Sequence, residues 1–394
     1  MPDSDQDIEV SAVMPCLNEE ETLGKCVEKA VNCFAALGVR GEVVVGDNGS
    51  TDRSVEIARS LGARVIHEPE RGYGAALRAA ITASRGRFCI MADCDGSYDW
   101  SAMGPFVEKL REGNDLVMGT RLKGTILPGA MPPLHKFFGN PFLSGTMNLF
   151  FRTGVSDAYC GMRGFTRDIF DALNLRSNGM EFAIEMVVKA SNRNMKITEI
   201  PITLHPDGRS GPPHLQSFRD GWRTLRFLLL NAPDYLYLIP GGILFVIGVI
   251  LQVLLLRGPT TIFGYYVGVH WLALGCLNSL LGFQVLALGA YCKAFAMNEG
   301  YETRGRAFNK LMGWFSLETG IVIGALMVWL GLMVDLAILT TWIARRMGHL
   351  GSTHAVFVAT TVIALGFQVI FSSFFLGMIK LGSESDPRWT PSRE

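Results

Sequence analysis

Residues 88–99 read FCIMADCDGSYD. The opening run FCIMA carries no charge and has the length of a single strand, the pattern of a strand covered on both faces. It stops abruptly at Asp93-Cys94-Asp95-Gly96, because Asp and Gly favour turns and leave a sheet readily. Two carboxylates in a D-x-D arrangement directly after a buried strand repel each other unless a cation sits between them. A hard divalent ion with oxygen ligands, Mg²⁺ or Mn²⁺, meets that demand and keeps part of its shell for substrate phosphates. D-x-D is a weak motif by itself, and its position after a central strand raises its weight.

On either side of this stretch, strand and helix patterns alternate. Residues 9–14, 42–46, 63–67 and 88–92 read as strands, and residues 116–118 continue the sheet, while 21–37, 51–61 and 74–84 have helical spacing. Such βαβα alternation predicts an α/β domain with a mostly parallel, twisted sheet covered by helices on both faces. Ligands in that architecture bind at the carboxyl ends of the strands. There the chain places Pro15-Cys16-Leu17-Asn18-Glu19-Glu20 after the first strand and Asp47-Asn48-Gly49-Ser50-Thr51-Asp52 after the second. Ser and Asp in the latter also serve as helix caps. The turn after the first strand is not G-x-G-x-x-G, which excludes a dinucleotide-binding oxidoreductase.

The chain has 394 residues, enough for two or three domains, and its 36 Lys and Arg balance 36 Asp and Glu. Zero net charge gives no support for nucleic-acid binding. Only 18% of residues are charged and 49% are hydrophobic, against about 25% charged in soluble domains. The deficit lies beyond residue 238, where uncharged runs cover 238–256, 258–292, 319–344 (interrupted by Asp335) and 355–379. Each approaches or exceeds the ~20 apolar residues of a spanning helix, predicting an all-α membrane domain of four helices. The eight cysteines follow no metal or disulfide spacing and read as reduced, mostly buried thiols. The acidic start MPDSDQDIEV has no apolar core of a signal peptide. Lys293, Arg304, Arg306 and Lys310, between the second and third spans, favour a cytoplasmic loop and a cytoplasmic N-terminal domain of a plasma- or inner-membrane protein. Arg345 and Arg346 argue weakly the other way. The expected domains are 1–215, an interfacial helix at 216–231, and a membrane region at 232–394.

The stretches MPCLNEEETL, VVVGDNGSTDRS, RGYGAAL, MADCDGSYDW, MGTRLKG, DAYCGMRGF, GMEFAIEM and EIPITLHPDGRS run collinearly through nearly all of residues 10–231. Together they resemble the family 2 glycosyltransferases of GT-A fold, and within them the dolichyl- or polyprenyl-phosphate mannose and glucose synthases. The resemblance implies a UDP- or GDP-hexose donor, with Pro15, Asn18, Glu19, Asp47, Ser50, Arg71, Gly72 and Cys94 around it. It implies a metal on Asp93 and Asp95, with Ser97 standing where some relatives have Gln and Asp99 as a substitute. The implied acceptor is a polyprenyl phosphate, and the implied reaction inverts the anomeric carbon at the cytoplasmic membrane face.

Phosphate acceptors are largely ionised at neutral pH and need fixed cations more than a base. Arg121, Arg163 and Arg209 are the candidate clamps; after Gly208-Arg209-Ser210 the chain continues Gly211-Pro212-Pro213-His214, altering the loop in which relatives often carry lysine. Glu181 and Glu185, four apart on a helix, are the candidate bases for a hydroxyl acceptor. Residues 216–230, QSFRDGWRTLRFLLL, place Arg219, Arg223 and Arg226 opposite Phe218, Trp222, Leu225 and Leu229, the pattern of an interfacial helix. A processive polysaccharide synthase would carry Q-x-x-R-W here, and Asp220-Gly221 break that motif. A transporter-like protein with a regulatory nucleotide domain would account for Asp335 inside a span. A homo-oligomer is compatible with all of these readings.

Overall fold

The computed structural model describes residues 8–210, 217–298, 301, 316–347 and 352–384. The chain forms two compact units, Met1–Leu228 and Leu229–Glu394.

The first unit is built on β1 (Val10–Cys16), β2 (Gly41–Asp47), β3 (Arg64–His67), β4 (Phe88–Met91), β5 (Leu116–Ile126), β6 (Arg163–Thr166) and β7 (Ile197–Leu204). Their order is β3-β2-β1-β4-β6-β5-β7. β1 to β4 pair in parallel and β5 pairs in parallel with β7, while β6 runs antiparallel to both β4 and β5. The sheet is therefore mixed, with one strand reversed. That strand, RGFT, is too short to announce itself by periodicity.

Helices α1 (Leu23–Leu37), α2 (Ser54–Ser60) and α3 (Tyr73–Ala83) make the crossovers. Beyond them, α4 (Gly104–Arg111), α5 (Asn140–Phe151), α6 (Arg167–Leu173) and α7 (Glu181–Asn192) complete the layers. Val10, Ala12 and Met14 of β1 and Phe88 and Ile90 of β4 belong to one core with Leu23, Val27 and Ala30 of α1 and Trp100, and each of these is at most 1% exposed. Burying side chains of this size contributes about 1.5–3 kcal/mol each, which makes the ends of β1 and β4 a rigid platform. Helix α8 (Ser217–Leu230) closes the unit.

Among the described residues the second unit holds four helices long and apolar enough to cross a membrane: Asp234–Leu255, Val269–Met297, Leu317–Ala344 and Thr353–Ile379. Close approaches of small residues pack them, as expected where lipid offers no competing hydrophobic drive. A Cβ at Gly324 would stand 2.6 Å from the Gly366 carbonyl oxygen, and one at Gly366 2.7 Å from that of Gly324. The second span begins at Val269, not at 258 as the uncharged run suggested. Residues Thr260–Ile262 (β8) and Tyr265–Val267 (β9) form an antiparallel hairpin instead.

Candidate active site

In the sheet order, β1 stands between β2 and β4. Connections leave it in opposite directions, so the carboxyl ends of β1 and β4 flank the crevice where open α/β sheets bind ligands. Asp93 and Asp95 follow β4, and Pro15 to Glu19 follow or end β1.

On the β1–β2 side the loops are tied to each other. Asn18 adopts φ 58°, a left-handed conformation that Asn tolerates. Its N–H donates to Ser50 Oγ at 3.0 Å, while its Oδ1 accepts from the Thr51 N–H at 2.8 Å. Asp47, 3% exposed at the end of β2, accepts from the Ser50 N–H on Oδ1 and meets His67 Nδ1 at 2.9 Å on Oδ2. Burial opposes its charge, but the Ser50 and His67 contacts hold its carboxyl below the usual value. Gly72 donates its N–H to Asn48 Oδ1 at 2.7 Å, with φ 147°. A Cβ there would lie 2.1 Å from the Asn178 carbonyl oxygen, so only Gly fits. Arg71 beside it is exposed.

The acidic pair is held from several directions. The indole N–H of Trp100 donates to the Asp93 carbonyl at 3.1 Å. Burial and then the neighbouring Asp95 push the Asp93 carboxyl up to about 7, against a Tyr73 hydrogen bond and the charges of Arg209 and Arg121. Asp95 Oδ1 accepts from the Ser97 N–H at 2.9 Å and from Ser97 Oγ at 2.5 Å. Ser97 thus fixes the rotamer of Asp95. The Gly208 N–H donates to the Asp95 carbonyl at 2.8 Å, and the His205 N–H to the Ser97 carbonyl at 2.9 Å. These contacts deliver Arg209, whose Nη2 lies 3.3 Å from Asp95 Oδ2 and 2.6 Å from Glu19 Oε1. Burial pushes the Glu19 carboxyl up, against the pull of Arg209.

Arg121 is 9% exposed and makes a bidentate pair with Asp157, Nε to Oδ2 and Nη2 to Oδ1, each at 2.8 Å. Asp157 also accepts the Arg121 backbone N–H. Burial opposes the Arg121 charge, and Tyr98 and Asp157 more than offset it, leaving the guanidinium firmly protonated.

The fold gives several of the other candidates structural partners. Arg163 is 0% exposed and donates from Nη1 and Nη2 to the carbonyls of Ala183, Ala158 and Cys160, while its buried Nε meets no partner among the described residues; it braces β6 from within the core. The Cys94 thiol donates to the Pro15 carbonyl at 3.0 Å, tying β4 to β1 beneath the crevice, so its side chain does not face a donor. Asp99 caps the turn at Ser101 and pairs with Lys29. Glu185 accepts from the Arg176 and Ser177 N–H groups and pairs with Lys189 at 2.7 Å. Burial raises its carboxyl, but Lys189 and Ser177 hold it below the ordinary range, unsuited to a base. Glu181 pairs with Arg223 of α8 at 3.0 Å. Pro212, Pro213, His214, Gln216, Arg304, Arg306 and Lys310 lie outside the described residues.

Asp157, Tyr73 and His67 were not assigned from the sequence. The first two sit inside the stretches DAYC and RGYG, but the contacts that give them meaning come from distant strands. A further feature is the segment around α5, where Phe137 is 75% and Phe138 64% exposed, joined by Leu134 and Phe142. Helix α8 likewise turns Phe218 and Trp222 outward while burying Thr224 and Leu228.

Among the described residues no three His, Cys, Asp or Glu side chains form a closed cation cage. The two acids, with Asp93 raised to about 7 by burial and then by Asp95, are oxygen donors of the kind that would suit a hard divalent ion.

A mixed sheet with acids at the β1/β4 crevice is joined here to four helices long and apolar enough to cross a membrane, the layout expected of a membrane-bound GT-A enzyme. The sequence comparisons agree: residues 11–173 match glycosyl transferase family 2, and residues 290–380 match the glycosyltransferase family 2 C-terminal transmembrane region. The low-salt glycan biosynthesis hexosyltransferase Agl6 of Haloferax volcanii is 41% identical over 382 residues, covering 96% of this chain and 90% of that one. The chain belongs to the family 2 glycosyltransferases. The dolichyl-phosphate hexose transferase of Haloferax volcanii is 31% identical over 214 residues, covering 54% of this chain and 89% of that protein. Among solved structures, glucosyl-3-phosphoglycerate synthase from Mycobacterium tuberculosis with Mn²⁺, UDP-glucose and phosphoglyceric acid matches with TM-score 0.46 and 22% identity over 57% of this chain and 79% of that one.

Proposed function

We propose that this glycosyltransferase moves a hexose from a UDP- or GDP-hexose to a polyprenyl phosphate at the cytoplasmic membrane face, inverting the anomeric carbon. The observation that carries this reading is the charge pattern at the crevice. The charges of Arg209 and Arg121 both act on Asp93, whereas Glu185 is held by Lys189 and the Arg176 and Ser177 N–H groups, and Glu181 pairs with Arg223 through Oε1 while its buried Oε2 meets no partner among the described residues. A phosphate acceptor arrives already ionised and needs cationic positioning, while a hydroxyl acceptor needs a base.

In this reading Asp93 and Asp95 hold Mg²⁺ or Mn²⁺, which when bound stabilises the charge of the departing diphosphate. Ser97 fixes the rotamer in which Asp95 would meet the ion. Asp47, Asn18, Ser50 and Glu19 form the nucleotide wall, and the Arg71-Gly72 turn closes it. Arg209, on a loop hydrogen-bonded to the Asp95 segment, and Arg121, preset by Asp157, position the acceptor phosphate and oppose the charge in the transition state. Two relatives carry hexosyltransferase or dolichyl-phosphate hexose transferase in their names, which supports the choice of sugar and acceptor. The exposed aromatics of α5 and α8 suit a reaction at a lipid surface, and α8 ends at Leu230, just before the first span at Asp234. Residues 1–215, 216–231 and 232–394 are accordingly the catalytic, interfacial and membrane parts.

The test is nucleoside diphosphate release by the full chain in detergent, across UDP- and GDP-hexoses, with Mg²⁺ or Mn²⁺, with and without a polyprenyl phosphate. Release that requires the lipid phosphate and the metal, and is lost in Asp95→Asn, is expected. Turnover with a hydroxyl acceptor in place of the lipid phosphate would overturn the reading.

A further inference from the structure

The β8–β9 hairpin joins the first span, ending at Leu255, to the second, starting at Val269. Its turn is Phe263-Gly264, with φ 50° and 82°. A two-residue turn with both φ positive favours Asn-Gly or Asp-Gly, and a bulky aromatic in the left-handed region is an outlier. Phe263 is nonetheless there, 97% exposed, followed by Tyr265 at 78% and Tyr266 at 73%. The hairpin does not hang free: Ile262 and Val267 pack with Leu255, Leu272 and Cys276 and with Val358 of the fourth span. An isolated hairpin is marginal in water, so this packing holds the base of the hairpin at the helix ends and leaves the aromatic tip exposed.

Both neighbours of the hairpin are spanning helices, which confines it to the boundary between hydrocarbon and water. Aromatic rings with a polar edge concentrate at that depth, and exposed Trp271, in the first turn of the second span, lies at the same level of the chain. Exposed Arg257 on the other flank suits anionic headgroups. We propose that the hairpin is an aromatic anchor whose Phe263, Tyr265 and Tyr266 seat in the bilayer interface, on the face opposite to the one where the chain enters at Asp234. The strained Phe263 backbone is held because its ring gains lipid contact. This inference rests on the spanning helices and is independent of the donor and acceptor.

The test places spin labels at Phe263→Cys, Tyr265→Cys and Thr261→Cys of the full chain, in a Cys292→Ser background, in vesicles of phosphatidylcholine with phosphatidylglycerol. Oxygen and a water-soluble nickel chelate are compared as relaxers, with Glu28→Cys as aqueous reference and Leu326→Cys as hydrocarbon reference. Oxygen-to-nickel ratios at 263 and 265 severalfold above that at 28 and below that at 326 are expected. Adding Tyr265→Asp and Tyr266→Asp should return the label at 261 to the aqueous value. A ratio at 263 and 265 equal to that at 28 would overturn the proposal. So would protection that vanishes, together with spin–spin broadening, when the protein is diluted in lipid, since that result assigns the tip to a second copy of the chain.

Discussion

Replacing Asp93 by Asn separates electrostatic cost from catalytic need. In the folded chain the carboxyl titrates near 7, raised from 3.8 by burial and by Asp95. The folded state therefore binds a proton that the unfolded chain has released between about pH 4 and 7, and this group's contribution to stability falls as pH rises through that window. A shift of this size corresponds to about 4 kcal/mol at full ionisation; partial access of Asp93 to solvent trims it to about 1–3 kcal/mol. Without divalent metal at pH 8, Asp93→Asn should stabilise the first unit by that amount, or roughly 2–10 °C in midpoint. Near pH 5.5 the gap should shrink by about half. Adding Mn²⁺ should reverse the order, because only wild type retains the carboxylate that holds the ion, and turnover should be lost. The assay is thermal unfolding in detergent with chelator or Mn²⁺ at both pH values. A variant less stable than wild type at pH 8 in chelator, or equally stabilised by Mn²⁺, would refute the reasoning.

Metal affinity of wild type should fall as pH drops below about 7, where Asp93 takes up its proton, as titration calorimetry would detect. Asp157→Asn leaves the buried Arg121 guanidinium without its counter-charge and should cost about 3–5 kcal/mol; adding Arg121→Met should recover stability but not turnover. Arg163→Met strips a donor from three buried carbonyls and should lower the melting temperature while leaving the acceptor KM of the folded fraction unchanged. Gly72→Ala drives a methyl toward the Asn178 carbonyl and should raise the donor KM, measured by nucleotide binding, more than it changes the acceptor KM.

The βαβα alternation, the acids after β4 and the four uncharged runs were legible because each rests on local pattern: period, charge and length. Burial and partner choice were not. Arg121, Arg163 and Arg209 look equivalent in sequence, yet the fold pairs the first with Asp157, threads the second among backbone carbonyls, and sets the third between Glu19 and Asp95. Glu185 reads as a candidate base until Lys189 and the Ser177 N–H are seen beside it. β6 pairs antiparallel with both β4 and β5, a fact of sheet assembly that the four residues RGFT do not carry by themselves. The hairpin between the first two spans hid in an uncharged run, since composition counts apolar residues without registering the turn at Phe263-Gly264. Sequence alone thus determined which acidic and basic side chains the strand ends carry and where four helices can cross a membrane. Only the tertiary structure decided which partner each of those charges meets, because a guanidinium or carboxylate is assigned by the groups that long-range packing brings within about 3 Å.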